Sequence, residues 1–252
     1  MTDAVPEQPD GETGADWHRR VVGRSLRKAA DRSVDRGMNL IRAAATVLDR
    51  SGGDDITVQE VADEAGQSLR TLYQYFESKD DLLLAVFEEA MRTYAELIGR
   101  AISELTDPLE RLAGGLLALV RMPAFSDGAR ARGLSRLRLR LSETQPDLIA
   151  RAQSAVTALL HGLVDDAVAA GRVPATDTEA ATFVLVSLNT AFITAETLGS
   201  DTGVRRPDAL ELISFGLRGL GAAVEDAWLR DVESRLVFPK PRSSRPRAAK
   251  KR

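Results

Sequence analysis

Apolar residues recur at helical spacing along most of this chain, and polar residues fill the intervening positions. Leu40, Ile41, Ala44, Ala45, Val47 and Leu48 form one stripe, which predicts a helix from about Asp35 to Ser51 that Gly52 and Gly53 stop. Val58, Val61, Ala62 and Ala65 then fall at i, i+3, i+4 and i+7. Thr57 and Glu60 stand at capping-box spacing before them, and Gly66 follows them. Ser68 can cap a third helix, Leu69 to about Phe76, with Leu72 and Phe76 turned inward. Ser78 and Asp81 open a long fourth helix carrying Leu82, Leu83, Val86, Phe87, Ala90, Met91 and Tyr94.

Past residue 95 the pattern predicts further helices at Leu109–Arg121, Asp127–Ser142, Pro146–Ala170, Thr178–Leu198 and Pro207–Leu229, with Pro108, Pro123, Pro146, Gly171, Pro174, Gly199, Gly203 and Pro207 at their boundaries. Pro207 suits the first turn of the last of these. Leu137-Arg138-Leu139-Arg140-Leu141 alternates like a strand, but Leu134, Leu137 and Leu141 also share a helical face and every neighbour is helical. The fold class is therefore all-α: an N-terminal three-helix helix-turn-helix unit and a C-terminal helical domain. Residues 178–198 are apolar nearly all round, so that helix must be covered on several sides. With Leu210, Ile213, Phe215, Leu217, Leu220 and Val224, and with small Gly216 and Gly219, it suits a two-fold four-helix interface.

The short third helix carries more polar and aromatic side chains than a core-facing element needs. Two short helices joined by a tight turn, the second with such a face, are the layout of a reader whose second helix enters the major groove. Arg70 suits a bidentate pair with guanine, Gln74 a pair with adenine and Leu69 a thymine methyl, while Gln59, one turn into the second helix, can reach a base edge. Ser68, Thr71, Tyr73 and Tyr75 suit phosphate contacts, and Thr57 can donate to phosphate from a helix N-terminus.

Residues 40–87, most specifically Ala-Gly-Gln-Ser-Leu-Arg-Thr-Leu-Tyr-Gln-Tyr-Phe-Glu-Ser-Lys-Asp-Asp-Leu-Leu at 65–83, resemble the DNA-binding domain of tetracycline-repressor-type (TetR family) regulators. Gln67 departs from the small apolar turn residue usual there. The resemblance implies a homodimer, a ligand-binding C-terminal domain, release from a palindromic double-stranded operator when a small-molecule effector binds, and Lys79 as a phosphate anchor. A ligand cavity is expected between helices four and eight of the full count. Polar groups in apolar context there are His161, Asn189, Thr190, Thr194 and Glu196, beside Phe192, and Met122, Phe125, Arg132 and Arg136 are further wall candidates. Their surroundings suggest a hydrophobic or amphipathic ligand.

Charge changes the picture only when divided by segment. The net charge of the 252 residues is −3, but residues 17–36 hold seven Lys/Arg against two acids, and residues 239–252 hold seven bases and no acid. Residues 37–80 hold four bases and eight acids, an awkward balance for a DNA reader. Arg19, Arg20, Arg24, Arg27, Lys28 and Arg32 offer compensation as a basic arm along the DNA backbone or an adjacent minor groove. The expected division is a disordered arm at 1–32, the reader at 33–80, the regulatory domain at 81–237 and a disordered basic tail at 238–252. With no cysteine, two histidines and no Gly-rich phosphate loop, neither metal nor cofactor is expected, and an enzyme is the weaker alternative. A DNA-binding regulator without a small-molecule ligand, constitutive or governed by a protein partner, is the nearer one. No run approaches the ~18 unbroken apolar residues of a spanning helix, so a cytoplasmic protein without a membrane partner is expected.

Overall fold

The computed structural model describes residues 13–52, 56–125, 128–174, 176–199 and 203–238, with side chains from residue 30 onward except at 124 and 125. Eleven helices run through them: α1 (Thr13–Ser51), α2 (Val58–Ala65), α3 (Leu69–Tyr75), α4 (Lys79–Ala101), α5 (Pro108–Phe125), α6 (Gly128–Thr144), α7 (Pro146–Ala152), α8 (Ser154–Ala169), α9 (Thr178–Leu198), α10 (Ala209–Gly219) and α11 (Asp226–Ser234).

The reader elements end where local chemistry ends them. Thr57 Oγ1 accepts from the Glu60 N–H at 3.2 Å, and the Glu60 carboxylate accepts from the Thr57 N–H at 2.7 Å. The Glu60 carboxyl is held below the usual range because it accepts first from that Thr57 N–H and then from the Thr57 hydroxyl. Gly66 closes α2 at φ 62°, where its N–H reaches back to Asp63 and a side chain would be strained. Ser68 and Ser78 cap α3 and α4 by accepting from the Thr71 and Asp81 amides, each at 3.1 Å.

Several expected boundaries move. The first helix starts at Thr13 rather than about Asp35, so the backbone of residues 13–32, expected as a disordered arm, continues α1. No proline interrupts residues 13–51, and their Ala, Leu and Arg residues favour the helix. Pro123 lies inside α5, in its last turn, rather than between helices. The segment expected as one helix over Pro146–Ala170 divides at Gln153. The segment at 207–229 divides into α10 and α11. Pro207 falls outside α10 because Asp208 caps it, accepting from the Glu211 N–H at 2.8 Å while Glu211 accepts from the Asp208 N–H at 2.9 Å. Residues 1–12 and 239–252 lie outside the described residues, and so does nearly all of the expected basic tail.

Two hydrophobic cores organise the molecule. One gathers α5, α8, α9, α10 and α11 around Leu112, Leu116, Leu160, Leu163, Ile213 and Leu217. Gly115 allows the close approach within it, since a Cβ there would meet Leu163 Cδ1 at 2.7 Å. The other joins Leu40, Ala44, Val61 and Leu72 of the reader to Leu82, Val86 and Phe87 of α4, Leu134, Leu137 and Leu141 of α6, and Ile149 of α7. The reader is thus packed directly on α4 and α6, across the boundary expected near residue 80.

Candidate nucleic-acid interface and internal cavity

Leu72 is fully buried and Phe76 nearly so, which fixes the inner face of α3. Arg70, Tyr73 and Gln74, at i, i+3 and i+4, share the opposite face. All three are exposed, Tyr73 by 53%. No side-chain hydrogen bond or ion pair engages them among the described residues. The face is compact, unoccupied and rich in donors, as base and phosphate recognition requires.

The other expected contact residues are distributed around it. Ser68 is exposed and shares a hydrogen bond with the Thr71 hydroxyl at 2.9 Å. Leu69 and Thr71 are half-buried at the edge. Tyr75 leans the other way, toward α1, where the Ser33 hydroxyl donates to its oxygen at 3.3 Å and Gly37 leaves room beside the ring. Thr57 is exposed, but its hydroxyl donates to Glu60 at 2.8 Å, and Gln59 directs its amide to Asp63 at 2.8 Å. Lys79 opens α4 and is half-buried. In the basic segment, Arg32 is exposed on α1, while the side chains of Arg19, Arg20, Arg24, Arg27 and Lys28 lie outside the described residues.

The acids that weighed against a DNA reader are largely engaged. Glu64 pairs with Arg50 at 3.0 Å, Asp49 with Arg130 at 2.8 Å and Asp80 with Arg140 at 2.8 Å. The last two partners come from α6, which also donates from Arg136 to the Gly52 carbonyl at 3.2 Å. Asp54 and Asp55 lie outside the described residues.

A cavity of about 80 Å³ lies where the two cores meet. Phe87 and Leu134 come from one, Leu119 and Val156 from the other, and Met91, Tyr94 and Ile193 complete much of the apolar wall. Burial pushes the Tyr94 phenol up to about 12, with Arg130 opposing and Asp49 adding to the shift. The cavity shares Arg138, Gln153, Thr157, Val186 and Thr190 with an outer groove of about 840 Å³ between α7, α8 and α9.

Of the expected pocket residues, Thr190 and Thr194 line the cavity, and His161 and Thr190 the groove. His161 lies 3.3 Å from Asp165 and 3.4 Å from the Thr178 hydroxyl. Arg132, Phe192 and Glu196 line a separate depression, where Glu196 pairs with Arg206 at 2.6 Å. Met122 is buried in the core, and Asn189 is buried with its amide donating to the Leu185 carbonyl at 2.8 Å. Neither lines the cavity. Arg136 serves the reader instead, and the Phe125 side chain lies outside the described residues. Sequence reasoning missed most of the cavity wall, including the polar lining residues Ser135, Arg138, Gln153 and Thr157. The signal for Arg138 was present, since it stands four residues after Leu134 and three before Leu141 on the same helical stripe.

The surface expected for self-association is also redrawn. Ile213, Leu217 and Val224 are buried inside the molecule, and a Cβ on Gly216 would meet Leu185 Cδ2 at 3.0 Å, so that glycine serves packing within the chain. Phe183, Val184 and Phe215 remain exposed by 72%, 51% and 70%. Among the described residues, α9 is the one helix long and apolar enough to cross a membrane by length and composition.

The sequence profile described as bacterial regulatory proteins, tetR family, matches residues 40–86. The HTH-type transcriptional regulator HbdR of Aromatoleum sp. (strain CIB) is 36% identical over 84 residues, 33% of this chain and 37% of that protein. The fatty acid metabolism regulator protein of Bacillus subtilis (strain 168) is 34% identical over 76 residues, 30% of this chain and 39% of its own length. These matches thus span about two fifths of the relatives. Among solved structures, RolR in complex with resorcinol superimposes with a TM-score of 0.62 at 24% identity, over 84% of this chain and 99% of that one. FadR from Bacillus subtilis in complex with stearoyl-CoA does so with a TM-score of 0.57 at 20% identity, over 79% and 99%. The capped helix pair, the exposed face of α3 and the profile match fall on the same residues: the helix-turn-helix segment of this chain is similar to that of the tetR family of bacterial regulatory proteins, and the helical fold behind it is shared with the solved structures.

Proposed function

We propose that this protein is a homodimeric, cytoplasmic DNA-binding transcriptional regulator, a repressor released from a palindromic operator by a hydrophobic or amphipathic small molecule. The observation that carries the reading is the outer face of α3, where Arg70, Tyr73 and Gln74 stand exposed opposite buried Leu72. Arg70 and Gln74 read base edges, Leu69 and Gln59 extend that readout, and Tyr73, Ser68, Thr71, Thr57, Tyr75 and Lys79 fix register on phosphates. The basic first part of α1 adds phosphate neutralisation.

Phe183, Val184 and Phe215 form an apolar surface that favours a two-fold contact through α9 and α10. Two readers held about one helical turn apart then require a palindromic site. The cavity at the junction of the cores suits an effector that shifts the dimer between two reader spacings. Fold relatives are known in complex with resorcinol and with stearoyl-CoA, which supports a small-molecule effector here.

The deciding experiment is selection of bound fragments from random duplex DNA, with sedimentation to give the oligomeric state. The expected result is a dimer on a palindrome, with Arg70→Ala losing about 1–3 kcal/mol of discrimination at one base pair per half-site. A monomer that ignores every duplex at low salt would overturn the reading.

A further inference from the structure

Helix α6 uses its arginines in two directions. Arg130, Arg136 and Arg140 all reach toward the reader and the start of α4. Arg138 instead lines both the inner cavity and the outer groove. A guanidinium has five N–H donors. Here one is engaged, from Nη2 to the Thr194 hydroxyl at 3.2 Å, and among the described residues no carboxylate pairs with this side chain. Among the described residues, no Asp or Glu lines the inner cavity, and Glu179 is the one carboxylate on the groove. Burial lowers the Arg138 pKa, but a guanidinium this basic stays protonated. A half-buried cation without a counter-charge is stabilised by any anion that reaches it.

The surroundings restrict the anion. Inward of Arg138 the wall is Phe87, Met91, Leu119 and Ile193; beside it are the neutral donors Thr157 and Thr190. We propose that the effector is an amphipathic carboxylic acid, with its carboxylate on Arg138 at the boundary of cavity and groove and its apolar end against the inner wall. A single guanidinium with Glu179 on the groove matches one negative charge rather than a polyphosphate. The inner space is smaller than the ~150 Å³ apolar cavity that accepts benzene, so the buried end is a short chain or small ring and any remainder occupies the groove. The proposal rests on the effector-controlled reading above and adds the chemical class of the effector.

The test uses the full chain and a neutral fluorescent probe, N-phenyl-1-naphthylamine, displaced by octanoate or by octan-1-ol. Wild-type protein is expected to prefer the acid by at least about tenfold, the range of one charge-assisted hydrogen bond. In R138Q the acid-to-alcohol ratio should fall toward one, and R138K should recover part of it. Probe displacement without a preference for the acid, or the same preference in R138Q, overturns the acid assignment and leaves the effector reading standing. If neither probe nor acid binds wild-type protein, both fail. Should R138Q not fold, the wild-type ratio and R138K decide.

Discussion

The reader and the cavity are built by different means. In α2 and α3 the helix ends are set by neighbours within four residues, through a capping box, a left-handed glycine and a serine cap, and one buried leucine stands opposite three exposed side chains. The cavity has no such local origin. Its wall comes from α4, α5, α6, α8 and α9, and its polar boundary exists only because two cores meet there. A surface for binding an invariant partner such as duplex DNA can be specified locally. A site for one ligand depends on packing over more than a hundred residues of chain, so it can change while the reader stays fixed.

The sharpest way to break that contrast is to damage one region and look for failure in the other. Leu72→Ala removes the anchor of α3 and is expected to cost ~2–5 kcal/mol in chemical denaturation, with operator binding lost in a mobility-shift assay. Ala131→Leu, on the cavity wall, should instead fill space, leave operator affinity within about twofold and abolish probe binding, because the added atoms enter a void. If A131L lost the operator as completely as L72A, the two regions would not be separable.

The same contrast explains what could be read from the sequence. The caps at Thr57, Ser68 and Ser78 and the stop at Gly66 were legible because each is a short-range hydrogen-bond rule. The all-helical class followed from periodicity, and α9 was placed residue for residue. The cavity was legible only in part. Polarity in an apolar context found Thr190 and Thr194 but also Asn189, whose amide nitrogen donates within its own helix, and the further wall candidate Arg136 points to the reader. Arg136 and Arg138 are chemically identical and two residues apart, and only the rotation of α6 against its neighbours sends one to Gly52 and the other to the cavity. The same limit applied to Ile213 and Gly216, since periodicity shows that a helix has an apolar face but not whether the chain itself covers it.

Within the reader, capping and phosphate contact can be separated at Ser68. Ser68→Ala should cost ~1 kcal/mol of stability. Ser68→Asp should retain the cap, because aspartate accepts the same Thr71 amide, while placing a negative charge toward the DNA. Chemical denaturation should therefore show S68D to be the more stable variant, and fluorescence anisotropy at fixed salt should show it to be the weaker binder. Wild-type affinity in S68D, with loss confined to S68A, would mean that Ser68 acts only as a cap.

The α6 arginines test whether the regions communicate through charge. Arg130–Asp49 and Arg140–Asp80 are partly exposed, so breaking either should change stability by roughly 0–1 kcal/mol. Their effect on DNA should be directional. Arg130→Ala leaves Asp49 uncompensated and should weaken operator binding. Adding Asp49→Ala should restore it, most clearly at low salt. Additive losses in this double-mutant cycle would show that the pair only fastens two surfaces.

The smallest effect compares the two capping boxes, Thr57–Glu60 in the reader and Asp208–Glu211 in the regulatory domain. Both carboxyls are lowered, and Glu211 is held at about 2, first by the Arg205 guanidinium and then by the Asp208 amide. A depressed folded-state pKa contributes stability that is present above the unfolded value of 4.5 and lost as pH falls from there toward about 2. Thermal melts across that window should show a shallower pH slope in E211Q than in wild type, and E60Q should lose less of the slope because no guanidinium bonds Glu60. Solvent reaches both groups, so the differences should be small and shrink further in high salt. If E211Q kept the wild-type slope, the Arg205 pairing would contribute nothing to folding, and α10 would rest on its buried face alone.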